Sequence, residues 1–206
     1  FIKIENPKKI NSVVELVDSI RNSNSEITLF TSGTTGFTRK FTHPLKNLIR
    51  KINVSDERKN DVWGFAFNPT HVAGVQVFFQ AILNQNLLVN VFMESKDFVI
   101  NAINEYKITN LSSTPTFYRL LLPLNQSFDS VTKITIGGEK SDNYLISQVE
   151  KYFPNARINN VYGSTETGPL FSSQNDEFIV QDKHIGLVKV VDDELYIHKN
   201  LFGKTT

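Results

Sequence analysis

Residues Val62–Leu111, VWGFAFNPTHVAGVQVFFQAILNQNLLVNVFMESKDFVINAINEYKITNL, carry the pattern that decides the fold. Val62–Phe67 is a short apolar run stopped by Asn68-Pro69, which reads as a strand ended by a turn. Val72–Leu83 is a mostly apolar run long enough for a buried helix. Leu87–Phe92 repeats the buried-strand pattern. Ser95 then stands as a cap for a helix carrying Phe98, Val99, Ala102 and Ile103, and Ile108–Leu111 is the next strand.

The alternation extends in both directions. Upstream, Val13, Leu16, Val17 and Ile20 mark one face of a helix, and Ile27–Thr31 reads as a strand. Pro44–Asn53 reads as a helix, with Leu45, Leu48, Ile49 and Ile52 on one side and Lys46 and Arg50 on the other. Downstream come a helix at Pro115–Leu122, a strand at Val131–Ile136, a helix capped by Ser141 and running to Tyr152, and a strand at Ile158–Tyr162. After Phe178 the pattern changes to short strands at Phe178–Gln181, Gly186–Val191 and Glu194–His198. Continuous apolar strands separated by helices predict an α/β fold, a largely parallel sheet flanked by helices, with a small β-rich C-terminal appendage. The expected organisation is a connector and helix over 1–25, an α/β domain over 26–170, and a β-rich segment over 171–206.

Composition narrows the function. The 206 residues are 40% hydrophobic and include sixteen Phe, ample for a sizeable core. Twenty-two Lys and Arg nearly balance 21 Asp and Glu, which argues against a dedicated nucleic-acid or membrane-surface binder. With no Cys there is no disulfide scaffold, thiol nucleophile or Cys-ligated zinc, and a cytoplasmic setting is expected. The longest apolar stretch, Val72–Leu83, is too short to cross a bilayer, so no membrane span is expected. No signal peptide opens the chain, and a start at Phe1 predicts a processed chain or a fragment.

In parallel sheets ligands bind beyond the carboxyl ends of the strands. That directs attention to Ser32–Gly36, Pro69–His71, Thr114–Thr116, Gly137–Glu139 and Gly163–Glu166. Thr31-Ser32-Gly33-Thr34-Thr35-Gly36 combines two glycines with four hydroxyls, and Arg39, Lys40 and His43 follow at once. Donors beside positive charge suit a polyphosphate, although the spacing is not that of a Walker A loop. The same stretch also reads as a flexible turn before a helix with a solvated basic face. Asn160–Gly168, NVYGSTETG, delivers an aromatic ring, a glycine turn, hydroxyls and the carboxylate of Glu166. A ring can stack on a purine, a hydroxyl can donate to a phosphate and a carboxylate can hold Mg²⁺. A surface turn with a solvated Glu166 is the competing reading. Gly137-Gly138-Glu139 either lets a flat ligand lie against backbone or simply ends a strand. The four histidines show no metal spacing, and His71 alone reads as a cap or a packed residue.

Together, in this order, the loops resemble those of the adenylate-forming superfamily: acyl-CoA synthetases, peptide-synthetase adenylation domains and luciferases. Thr31–Arg39, TSGTTGFTR, resembles the family's phosphate-binding signature, and Asn160–Gly168 its adenine and magnesium motif. Gly137–Glu139, Pro69–His71 and Thr114-Pro115-Thr116 also fall where the family has matching segments. The resemblance spans roughly residues 26 to 198 and is most specific in the joint occurrence of both signatures. It implies ATP-dependent activation of a small-molecule carboxylate to an acyl-adenylate, followed by thioester formation with CoA or a carrier-protein thiol. By the match, Thr31, Ser32, Gly33, Thr34, Thr35 and Gly36 would hold the β- and γ-phosphates and Arg39 would add charge. Tyr162 would pack on adenine, with Gly137, Gly138, Glu139, Asn160 and Gly163 around it. Thr165 would meet the α-phosphate, Glu166 would hold Mg²⁺, and His71 would stand near the carboxylate.

Thr38 and Arg39 replace the family's usual Pro and Lys, and Arg is a rigid fork where Lys is a mobile point charge. The family's ribose-binding aspartate, its C-terminal domain with a catalytic lysine and a long N-terminal stretch are expected to lie outside Phe1–Thr206. A peptide-synthetase-type adenylation domain and a non-catalytic AMP- or ATP-binding protein are the alternative readings.

Overall fold

The computed structural model describes residues 10–32, 38–49, 52–180 and 184–199. In chain order its elements are α1 (Val13–Arg21), β1 (Glu26–Ser32), β2 (Thr38–Pro44), α2 (Leu45–Ile49), β3 (Val62–Phe65), α3 (Val72–Leu83), β4 (Leu87–Asn90) and α4 (Lys96–Tyr106). They continue with β5 (Asn110–Ser113), α5 (Pro115–Leu121), β6 (Lys133–Gly137), α6 (Asn143–Tyr152), β7 (Arg157–Ser164), β8 (Gly168–Ser173), β9 (Val188–Val191) and β10 (Glu194–Ile197).

Six strands form the central sheet in the order β4-β3-β5-β6-β7-β8. All are parallel except β8, which returns antiparallel to β7. The chain first steps outward from β3 to β4, then jumps back across β3 to β5 and moves steadily toward β7. Right-handed crossovers therefore put α3 on one face and α4, α5 and α6 on the other. The packing agrees. Val99, Ala102, Ile103, Tyr118, Leu121 and Val149 from α4–α6 join Leu111, Ile134, Ile136 and Ile158 of the sheet in the main core. On the front face α3 packs Val77 and Ala81 onto Trp63, Phe65 and Phe67. Behind α3, Val17, Leu45, Phe79 and Leu83 gather α1 and α2 into a third cluster.

The α/β architecture expected from the sequence is the one observed, with several local corrections. The segment after the first glycine-rich stretch is a strand, not a lead-in to a helix. β2 pairs with β1 from Ser32↔Thr38 to Glu26↔Pro44, so the stretch joins two arms of a hairpin. Phe41 and His43 alternate inward there, which outweighs the polar look of Arg39 and Lys40. The helix expected over Pro44–Asn53 is α2, ending at Ile49, with Arg50 and Lys51 outside the described residues. The cap of α6 is Asp142 rather than Ser141, because its carboxylate accepts the Leu145 N–H at 2.7 Å. That bond first, and the Arg119 guanidinium second, hold the Asp142 carboxyl below its usual range. Residues 178–180 are not a strand, and Gln181 lies outside the described residues. The C-terminal appendage is the β9–β10 hairpin, turned by Asp192 and Asp193, both at positive φ.

Candidate functional site

Four strand-end segments meet at one open cavity of about 1250 Å³ along the carboxyl edge of the sheet. Asn68 and His71 arrive from β3, Thr114 and Thr116 from β5, Gly137, Gly138 and Glu139 from β6, and Gly163, Ser164 and Thr165 from β7. The switch between the left-going and right-going crossovers lies at β3 and β5, where a crevice is expected in an open α/β sheet.

Each segment is held by local chemistry. Asn68 Oδ1 accepts from the Thr70 N–H at 2.9 Å and the Thr70 hydroxyl at 2.8 Å, which folds the turn before α3. Gly74 lets α3 press onto that turn, since a Cβ there would lie 2.1 Å from the Asn68 carbonyl oxygen. His71 occupies the N-cap position of α3 without a side-chain capping bond, and it is exposed. Thr114 caps α5 by accepting from the Phe117 N–H at 3.3 Å. Gly138 turns at φ +84°, a conformation that favours glycine. Beside it the Glu139 carboxylate accepts the Thr116 hydroxyl at 2.5 Å and the Thr116 N–H at 3.2 Å.

The β7 motif is the turn of a hairpin with β8. A register shift falls between Tyr162 and Gly163. The Thr167 N–H donates to Ser164 Oγ at 3.3 Å, and the Thr167 hydroxyl donates to the Gly168 carbonyl at 2.9 Å. Asn160 is buried and its amide donates to the Asn175 carbonyl at 2.9 Å. The Tyr162 ring is half-exposed and leans on Phe171 and Phe178, each with centroids 6.0 Å away. Phe171 in turn meets the edge of the buried His184 at 5.1 Å.

The cavity thus gathers His71, Gly137, Gly138, Glu139, Gly163 and Thr165 of the residues expected from the sequence. Asn160, Tyr162 and Glu166 are not among its lining residues. Thr31, Ser32 and Arg39 lie in the arms of the β1–β2 hairpin, while Gly33, Thr34, Thr35 and Gly36 lie outside the described residues. Sequence reasoning missed Trp63, Phe171 and His184 in the lining, and also a polar set on the sheet itself, Ser112, Thr135 and Asn159. The alternation of Thr135 between Ile134 and Ile136 was the available signal. Glu166 sits half-buried on the β7–β8 turn with no hydrogen bond or ion pair to another described residue. One such carboxylate fits Mg²⁺, which takes one or two carboxylates together with substrate phosphates and water. Among the described residues no group of three or more His, Asp or Glu could hold a metal by itself.

The family model for AMP-binding enzymes matches residues 6–204. The chain belongs to the AMP-binding enzyme family. It is 27% identical over 157 residues to a 2-succinylbenzoate–CoA ligase of Staphylococcus epidermidis, covering 73% of this chain and 32% of that protein. It is 26% identical over 210 residues to 4-coumarate–CoA ligase-like 9 of Arabidopsis thaliana, covering 93% of this chain and 37% of the relative. The chain therefore spans about a third of the length of these relatives. Among solved structures it is similar to O-succinylbenzoate coenzyme A synthetase from Bacillus subtilis in complex with ATP and magnesium. The TM-score is 0.60 at 22% identity, over 71% of this chain and 32% of that one. A luciferase-like enzyme from Zophobas morio superposes with a TM-score of 0.62 at 17% identity, over 84% of this chain and 41% of that one. At these identities the structural likeness speaks for the fold. Among the described residues no helix is long and apolar enough to cross a membrane.

Proposed function

We propose that this chain is the nucleotide- and acid-binding part of an enzyme that activates a carboxylic acid with ATP. A carboxylate oxygen attacks the α-phosphorus, the bond to the bridging oxygen breaks, and an acyl-adenylate and pyrophosphate result. A thiol then displaces AMP to give a thioester. The names of the two curated relatives, both CoA ligases, support CoA as that thiol; a carrier-protein thiol is the alternative.

The observation that carries this reading is the meeting of four strand-end segments at one cavity on the carboxyl edge. Strand β7 would divide the labour. Tyr162 and Asn160 alternate along it with Asn159, Val161 and Gly163, and only the latter three line the cavity. Adenine would pack on the open part of the Tyr162 ring and against the Gly137-Gly138 turn, and the acid would lie in the cavity. Thr165, at the tip between them, would donate to the α-phosphate, and His71 at the head of α3 would stand near the carboxylate. The β1–β2 hairpin with Arg39 would bring positive charge to the β- and γ-phosphates. Such a reaction needs alignment and compensation of negative charge more than covalent help from the protein. Bound Mg²⁺, held by Glu166, would neutralise phosphate charge.

Calorimetric titration with AMP and with ATP, with and without Mg²⁺, tests the binding half, and carboxylate-dependent ATP–pyrophosphate exchange tests the chemistry. Binding of ATP that strengthens with Mg²⁺ and loses that dependence in Glu166→Gln is expected. A chain indifferent to adenine nucleotides would refute the proposal.

A further inference from the structure

Among the described residues, the right-handed crossovers leave part of the front face without a helix. From β4 to β7 the chain moves one way, so α4, α5 and α6 all fall on the back. Over β5, β6 and β7 the front face instead forms the floor of the cavity. Register places Ser112 beside Thr135 and Thr135 beside Asn159, so these three side chains form one line across three strands. All three line the cavity. At the usual strand spacing the line is roughly 10 Å long.

Its chemistry is unusual for the middle of a parallel sheet, where apolar residues normally stand on both faces. On the back face the same strands carry Leu111, Ile134 and Ile158. On the front, none of the Ser112, Thr135 or Asn159 side chains makes a hydrogen bond to another described residue. Trp63, one wall of the same cavity, is buried to more than nine-tenths, and its indole N–H has no partner among the described residues. Helix α3 adds Ala73 and Val77 to the lining, with the amide side chains of Gln76 and Gln80. Charge is absent from the line itself. Lys133, one row below Thr135, is engaged by both carboxylate oxygens of Asp61 at 3.0 Å. The charged side chains that do line the cavity stand away from the line: Glu94 and Lys96 are exposed, with Lys96 donating to the Pro123 carbonyl, and Glu139 is engaged by Thr116.

We infer that the acid bound here carries neutral hydrogen-bonding groups, such as hydroxyl, keto or carboxamide groups, where its body faces this line, rather than bare hydrocarbon. Ser112, Thr135, Asn159 and the Trp63 indole are the groups that recognise them. The inference rests on the adenylation reading for what fills the cavity, but it names a substrate class that the reading leaves open. A site built to hydrogen-bond a substrate rejects the analogue lacking those groups, because its own polar atoms are then left unpaired.

The test uses non-reactive acyl-adenylate mimics, acyl sulfamoyl adenosines of equal chain length, titrated calorimetrically into the protein beside AMP. One carries a plain alkyl chain and one a hydroxylated chain. The hydroxylated mimic is expected to bind about tenfold or more tighter than the alkyl one, the worth of one or two well-made hydrogen bonds. In Ser112→Ala, Thr135→Val and Asn159→Leu that ratio should fall toward one, since each change keeps the size and removes the polar atoms. AMP binding together with equal or tighter binding of the alkyl mimic overturns the inference alone. Failure to bind AMP overturns the adenylation reading and this inference with it.

Discussion

The carboxylate of Glu139, just past the end of β6, accepts two hydrogen bonds from Thr116 in the first turn of α5, from the hydroxyl at 2.5 Å and the N–H at 3.2 Å. It thereby satisfies an N–H that no intrahelical carbonyl can reach and places negative charge at the positive end of the helix. The two residues are 23 positions apart, so the contact ties together two strand-end turns. Glu139 was expected from the sequence to touch the nucleotide. Here its carboxylate holds the neighbouring turn, and the adjacent Gly138 lines the cavity beside it.

Glu139→Ala is therefore expected to lower unfolding stability by about 1 kcal/mol, the usual worth of a capping interaction. Thr116→Val should remove much of the same contact. The double variant should cost less than the sum of the two, a coupling readable from denaturant melts.

A second polar cluster stands at the opposite edge of the sheet. Asp61 is buried before β3, accepts from both Lys133 at 3.0 Å and the Asn110 amide at 3.0 Å, and has Arg58 at 3.8 Å. Lys133 is 43% exposed and Asp61 only 10%, so the two sides of the pair are not equivalent. Removing Lys133 strands a buried carboxylate, whereas neutralising Asp61 leaves an ammonium that water can reach. Lys133→Met should cost about 2–3 kcal/mol and Asp61→Asn about 1 kcal/mol. Neither should change AMP affinity measured by titration, because both lie at the amino ends of the strands.

Tyr118 is fully buried on the back face, where its hydroxyl donates to the Leu111 carbonyl at 2.9 Å and lies 3.2 Å from the Thr135 carbonyl. Tyr118→Phe should cost about 1 kcal/mol. Burial holds the phenol well above its ordinary value of 10.0. The folded state then keeps a proton that the unfolded chain releases. Stability from this group is intact below the unfolded value and declines as pH rises beyond it, by at most about 1.4 kcal/mol per pH unit. Urea melts between neutral and strongly alkaline pH should show that decline in the native protein and a weaker one in Tyr118→Phe.

Tyr162→Ala should weaken AMP by about 1–3 kcal/mol, the typical worth of a base–aromatic stack. Phe178→Leu, which removes one of the rings that Tyr162 leans on, should weaken it less. Unchanged AMP affinity in Tyr162→Ala would count against stacking on that ring.

Much of this was legible in the linear order of residues. The apolar runs at Val62, Leu87 and Val131 and the helix from Val72 to Leu83 stand close to where the pattern put them, because burial on a sheet or under a helix demands continuous apolar surface. β5 is the instructive exception. Its apolar residues Ile108 and Leu111 placed the strand two residues early, whereas the true strand runs from Asn110 to Ser113. The polar residues Asn110 and Ser112 face the front, on the same side as the cavity, and a reading tuned to apolar strands passes over them. The β2 and β8 strands were missed because each is set by its partner strand across a hairpin rather than by its own composition.

What the sequence determined by itself was the succession of strands and helices, the family signatures and the balance of charge, all carried by residues near one another in the chain. What only the tertiary structure decided was which face each crossover covers, and hence that Ser112, Thr135 and Asn159 form one line on the uncovered face. It also decided that Glu139 serves Thr116 and that Asn160 points to the opposite side of β7 from the cavity. Those relationships join distant residues through sheet register and crossover handedness, and neither quantity is a property of any local stretch of chain.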